Sequence, residues 1–186
     1  MPGEVLTGEP YAGFFGKLPS AGDFVARGIS PAFRRAWDAF VTRHIAPLAA
    51  GGGWPDGGLR FRLVSGGRVA AGVVVPSRDA AGRRFPLSLI LAGESLPGPE
   101  GLDAWCDLAL AAAGPALEGA DGPDALWAAL DILELPGDGA GAGGAAMLVW
   151  ARGTAPVAVA PEAPGAAIAG LVGAGPGPGP DAGTGR

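Results

Sequence analysis

With 186 residues the chain is sized for one ordinary domain, and its 35 glycines and 19 prolines would read as low complexity if periodic apolar segments did not lie between them. A net charge of −5 without any long basic cluster argues against nucleic-acid binding, whose affinity comes from grouped Lys and Arg neutralising phosphates. A single cysteine and a single histidine exclude an internal disulfide and a Cys/His zinc site, so no metal and no cofactor is expected.

Residues 1–10, MPGEVLTGEP, read as a flexible lead-in lacking the charged and apolar regions of a signal peptide, and no apolar run approaches the roughly 20 residues of a membrane span. A cytoplasmic protein without membrane insertion is the expectation. Tyr11 to Leu18 is aromatic and glycine-punctuated, a strand running into a turn at Pro19-Ser20. The segment DFVARG that follows reads as a short helix capped by Asp23. Ser30-Pro31 then supplies an N-cap and a proline at the first helical position, and Phe33, Trp37, Phe40, Val41, Ile45 and Leu48 recur at helical spacing up to the glycines at 51–53.

From Leu59 the period changes to two. Leu59, Phe61 and Leu63 share one face and Arg60 and Arg62 the other, the pattern of a half-buried strand with its arginines in water. Gly66-Gly67 provides a tight turn into a partner strand, Val69 to Val75. After the loop PSRDAAGRRFP, the apolar run Leu87 to Ala92 reads as a central strand. Two helices follow, Leu102 to Leu117 and Pro123 to Leu135, with Leu102, Trp105, Cys106, Ala109 and Leu110, then Leu126, Trp127, Leu130 and Leu133, turned inward. Gly137 to Gly144 is a flexible connection, Ala146 to Ala151 and Val157 to Ala160 a closing hairpin, and Ala163 to Val172 a last helix. The expected fold is α/β, a mixed sheet with helices packed on it, forming one domain over residues 11–173. Residues 174–186, rich in glycine and proline, bury too little apolar surface to offset their ordering entropy and should be a disordered tail.

The stretch GFFGKLPSAGDF, Gly13 to Phe24, invites a phosphate-loop reading through Gly16-Lys17. That motif needs a glycine five residues earlier and Ser or Thr after the lysine, and those places hold Tyr11 and Leu18. A nucleophilic site fares no better: Ser20 and Ser77 are hydroxyls, but the one histidine, His44, sits on the inward flank of the long helix, and Cys106 beside Trp105 reads as a small buried hydrophobe. Asp23 and Asp79 form a conceivable acid/base pair, yet aspartates in turns commonly accept backbone N–H bonds.

The same stretch fits better as a signature. Gly13 to Phe24, Trp37-Asp38 within the first long helix, and Pro76 to Leu87, PSRDAAGRRFPL, occur in the order found in the TagF family, also called ImpM, which the chain resembles over its first half. The later match is weaker: Ala146 to Gly153 keeps Trp150, but Val149 stands where the family has a second tryptophan, and the terminal F..L element is reduced to Ala167 through Leu171. The resemblance implies a non-catalytic cytoplasmic regulator of the bacterial type VI secretion system, a post-translational repressor whose partner is the forkhead-associated scaffold protein Fha.

Physical reasons for the motif residues can be given beside the resemblance. Phe14 and Phe15 alternate across a strand, Gly16 and Gly22 allow angles or approaches that a Cβ would block, and Pro19 fixes the turn's exit. In the second block Ser77 and Asp79 bind turn amides, Gly82 takes a positive φ, and Phe85-Pro86 seats the next strand. Lys17, the chain's one lysine, and Arg83 are left over, for a contact with Asp23 or Asp79 between the loops or for an acidic partner surface. Phe15, Gly16, Lys17, Pro19, Ser20, Gly22, Asp23, Trp37, Asp38, Ser77, Asp79, Gly82 and Arg83 are thus the candidate binding positions, with no catalytic residue among them. Two alternatives stay open: a small ligand-binding or enzymatic domain using a cleft between the Lys17 and Arg83 loops, and an architectural secretion subunit.

Overall fold

The structure is a computed structural model that describes residues 9–49, 52–137 and 144–173. The expected tail, the lead-in through residue 8 and most of the Gly137–Gly144 connection lie outside the described residues.

Seven strands form one sheet in the order β2-β1-β5-β4-β3-β6-β7, and every pairing is antiparallel. The strands are β1 (Tyr11–Gly16), β2 (Val25–Arg27), β3 (Leu59–Ser65), β4 (Arg68–Val75), β5 (Leu87–Gly93), β6 (Met147–Ala151) and β7 (Val157–Val159). The tight β3–β4 turn expected at Gly66-Gly67 is present, with Ser65 opposite Arg68 and both glycines at positive φ.

Helices cover both faces. On one face α1 (Pro31–His44) with its C-cap Ile45, and α5 (Gly165–Gly173), pack Trp37, Val41, Ile45, Ile168 and Val172 against Phe15, Leu59, Phe61, Val74 and Ile90. On the other, α3 (Pro99–Glu118) and α4 (Pro123–Asp131) pack Leu102, Trp105, Cys106, Ala109, Leu126 and Leu130 against Phe14, Val73, Leu89, Leu91 and Trp150. The α/β/α layering follows from strand sequences apolar on both sides, such as RVAAGVVV and LSLILAG, which no one-sided sheet would tolerate in water.

Several expectations need correction. DFVARG is not a helix: Val25–Arg27 is edge strand β2, paired to β1 with Phe15 opposite Ala26. The edge of β1 that β5 leaves open is what this segment pairs with. The long helix stops at His44 and a short α2 (Ala46–Ala49) follows, because Pro47 has no N–H for the α1 ladder. Arg60 and Arg62 are not in water but buried beneath α3, the consequence of the second helical layer. Trp127 is 40% exposed rather than inward, and it lies over the turn at Gly28.

Cys106 is buried, and burial above all pushes its thiol up to about 12. It is therefore expected to stay unmodified by Ellman's reagent in the native protein and to react at once in denaturant. A full stoichiometric burst under native conditions would contradict this burial.

Candidate functional site

The antiparallel register brings the two signature loops together. Val75 at the end of β4 lies opposite Leu87 at the start of β5, and Ser88 lies opposite Phe15 near the end of β1. Loop 17–24 and loop 76–86 therefore emerge at the same end of the sheet although some sixty positions separate them. Gly16 sits where they meet, at φ +150° with a would-be Cβ 2.3 Å from the Pro86 carbonyl, so no larger residue fits there.

Loop 76–86 is wound around one carboxylate. Asp79 Oδ1 accepts from the backbone N–H of Ala81 at 3.0 Å and of Arg83 at 2.9 Å, while Gly82, at φ +80°, reverses the chain between them. Asp79 Oδ2 accepts from Lys17 Nζ at 2.9 Å and from Arg83 Nε at 2.7 Å. Asp79 is only 1% exposed and Lys17 is buried with it. The Lys17 hydrogen bond first, then the N–H groups and charge of Arg83, hold the Asp79 carboxyl well below the usual carboxylate range against the opposing effect of burial.

Three further ties close the loops on each other. Ser77 Oγ donates to the Lys17 carbonyl at 2.6 Å, Ala80 N–H to the Ala21 carbonyl at 2.9 Å, and Arg83 Nη2 to the Gly22 carbonyl at 2.8 Å. Lys17 and Arg83 thus make the contact between the loops, with Asp79 and not Asp23 as the shared acceptor.

The remaining candidates are placed separately. Phe15 is in the core, Pro19 is half-buried, and Ser20 Oγ donates to the Asp121 carbonyl at 3.0 Å. Asp23 accepts from Phe24 N–H at 2.7 Å, a local turn bond and not a helix cap. Gly22 has a φ open to any residue and free space around its Cα, so the steric role assigned to it falls away; its carbonyl is what the Arg83 side chain uses. Ser77 binds across to Lys17 and not to an amide of its own turn. Trp37 stacks on Phe61 and donates from Nε1 to Ser88 Oγ at 2.9 Å, while Asp38 accepts from the Thr42 hydroxyl at 3.2 Å on the outer side of α1.

A second polar cluster was not anticipated. The Arg60 guanidinium, wholly buried, donates to the Asp103 carboxylate and carbonyl and to the Asp107 carboxylate on α3. Trp150 Nε1 donates to Asp103 Oδ1 at 2.9 Å, and Arg152 reaches Asp107 Oδ2 at 2.6 Å. Burial opposes the charge on Asp107, yet Arg152 and Arg60 hold it below the usual range. The available signal was two carboxylates one helical turn apart on the border of the apolar stripe of α3, facing a strand that carries arginines.

The geometry defines a class: a three-layer α/β domain in which two signature loops are locked together by their own charged side chains. The description "TagF N-terminal domain, Type VI secretion system-associated" matches residues 13–133, and the chain belongs to this family. A solved structure described as PA0076 from Pseudomonas aeruginosa PAO1 has the same fold, with a TM-score of 0.56 and 24% identity over 87% of this chain and 76% of that one. No curated protein matches the chain.

Among the described residues no helix is long and apolar enough to cross a membrane.

Proposed function

We propose that this domain is a non-catalytic, cytoplasmic regulator of type VI secretion that represses the apparatus after translation by binding its forkhead-associated scaffold protein Fha. Family membership supplies the secretion context. The observation that carries the regulatory reading is the loop lock: Lys17, Asp79, Ser77 and Arg83 bond to one another and to backbone, and the Asp79 carboxylate occupies the space between Lys17 and Arg83 that a ligand would need. The polar part of the signature thereby shapes a rigid end of the sheet, a suitable platform for protein recognition.

Deletion of the gene is expected to raise effector release from growing cells, and the purified domain should retain the Fha-type protein of the same organism on a column. Abolished release would favour an architectural subunit instead. Unchanged release together with no retention would end the repressor reading.

A further inference from the structure

The lock consumes Lys17 and Asp79 but leaves an apolar and cationic surface beside them. Phe24 is 37% exposed, while its inner face stacks on buried Phe15 with centroids 5.7 Å apart and it meets Phe85 edge-on at 4.6 Å. Each ring comes from a different strand or loop, so Phe24 is a rigid projection and not a loose side chain. Lys17 Nζ lies 5.0 Å from its centroid, and the Arg34 guanidinium 5.9 Å from that of Phe15. Arg83, bonded to Gly22 O, still has a side chain 64% exposed.

Arg35 adjoins Arg34 on the first turns of α1, and both are exposed. Together with Ala26, Ile29, Pro31 and Asp38 they line an open cavity of about 320 Å3 beside edge strand β2. Among the described residues neither arginine has a carboxylate within ion-pair distance. Asp38, in the same cavity, accepts from the neutral Thr42 hydroxyl, and Asp23 accepts from Phe24 N–H. In a chain of net charge −5, an exposed aromatic near Arg83, stacked on the Phe15 ring that Arg34 also approaches, with Arg35 next along α1, runs against the overall sign.

We infer that this face is a docking surface for an acidic segment of a partner protein, with Phe24 as the apolar anchor and Arg34, Arg35 and Arg83 pairing with its carboxylates. An exposed aromatic held by packing, with arginines around it, is the arrangement that carries affinity in protein interfaces, and rim charges set register and association rate. Three arginines are too few for the phosphate neutralisation that nucleic acid requires. The identity of the partner rests on the function proposed above; the surface and its charge preference do not.

The full chain is tested as Arg34→Glu/Arg35→Glu and as Phe24→Ala, each checked by thermal melt, against the purified Fha-type scaffold by calorimetry. Each is expected to weaken binding by about tenfold or more, with wild-type affinity falling as salt rises. Wild-type binding with both variants unchanged overturns the surface and leaves the proposed function standing. Absence of wild-type binding removes Fha as the partner, and the surface is then judged by benzoylphenylalanine placed at position 35 in cells: a crosslinked protein segment rich in Asp and Glu supports it. A neutral or basic segment, a nucleic acid, or no adduct overturns it.

Discussion

Replacing Asp79 with alanine is expected to lower the melting temperature by about 10 °C, because the change leaves buried Lys17 without a counter-charge and two turn amides without an acceptor. The amide of Asp79→Asn keeps an oxygen for Ala81 and Arg83 N–H but presents an NH2 to Lys17 and Arg83, donors facing donors, so nearly the full loss is expected there too. Lys17→Met should fall between, since Asp79 retains Arg83 and both amides. Arg83→Ala should cost least, because an exposed partner is replaced by water. Differential scanning calorimetry of the four variants tests this order, and an Asp79→Ala protein melting within about 2 °C of the wild type would refute the lock.

The pH dependence has a definite sign. The folded carboxyl is held below its unfolded value, so its contribution is fully present above about pH 4 and is lost as pH falls toward the folded value. The gap in melting temperature between wild type and Asp79→Asn should therefore be constant near neutrality and narrow progressively below about pH 4. A gap that widened on acidification would assign the lost stability to some other group.

Much of this arrangement was legible in the chain, and the reasons differ by element. Helix α1 could be read because Ser30 caps it by accepting from Phe33 N–H and its apolar spacing is uninterrupted, and the β3–β4 hairpin because two adjacent glycines fix its turn. The strand β5 could be read from length and hydrophobicity alone. Edge strand β2 could not: three residues after an Asp look equally like a first helical turn, and only the free edge of β1 decides between them. The same limit applies to Gly22. A glycine inside a motif suggests backbone strain, but here the residue is used for its carbonyl.

Within the site, the turn chemistry of Asp79 and Gly82 is local and was therefore readable, five residues being enough to specify it. The partner of Lys17 was not, since two aspartates offered themselves and the choice depends on the β1–β5 register, a contact between distant parts of the chain. Arg60 and Arg62 were misplaced for a related reason. Alternation along a strand says which residues share a face, but not whether the second face meets water or another helix.

That second face carries the other large expected effect. Arg60→Ala removes a wholly buried guanidinium that bonds Asp103 and Asp107, and is expected to cost about 3–5 kcal/mol in urea denaturation. Two terms add: a cavity opens under α3, and two carboxylates one turn apart on the same helix lose the charge that offsets their repulsion. Arg60→Lys should not rescue it, because a single ammonium cannot replace the planar fork that reaches both aspartates. Arg60→Met should lose less than alanine, since it fills volume, removes the Nε–H that has no acceptor, and leaves carboxylates that are partly exposed and can hydrate. Combining Arg60→Met with Asp103→Asn and Asp107→Asn should recover part of the remainder by removing the uncompensated charge. If Arg60→Ala left the denaturation midpoint unchanged, the cluster would be an ornament of the α3 surface and not the tie that fastens α3 to β3 and β6.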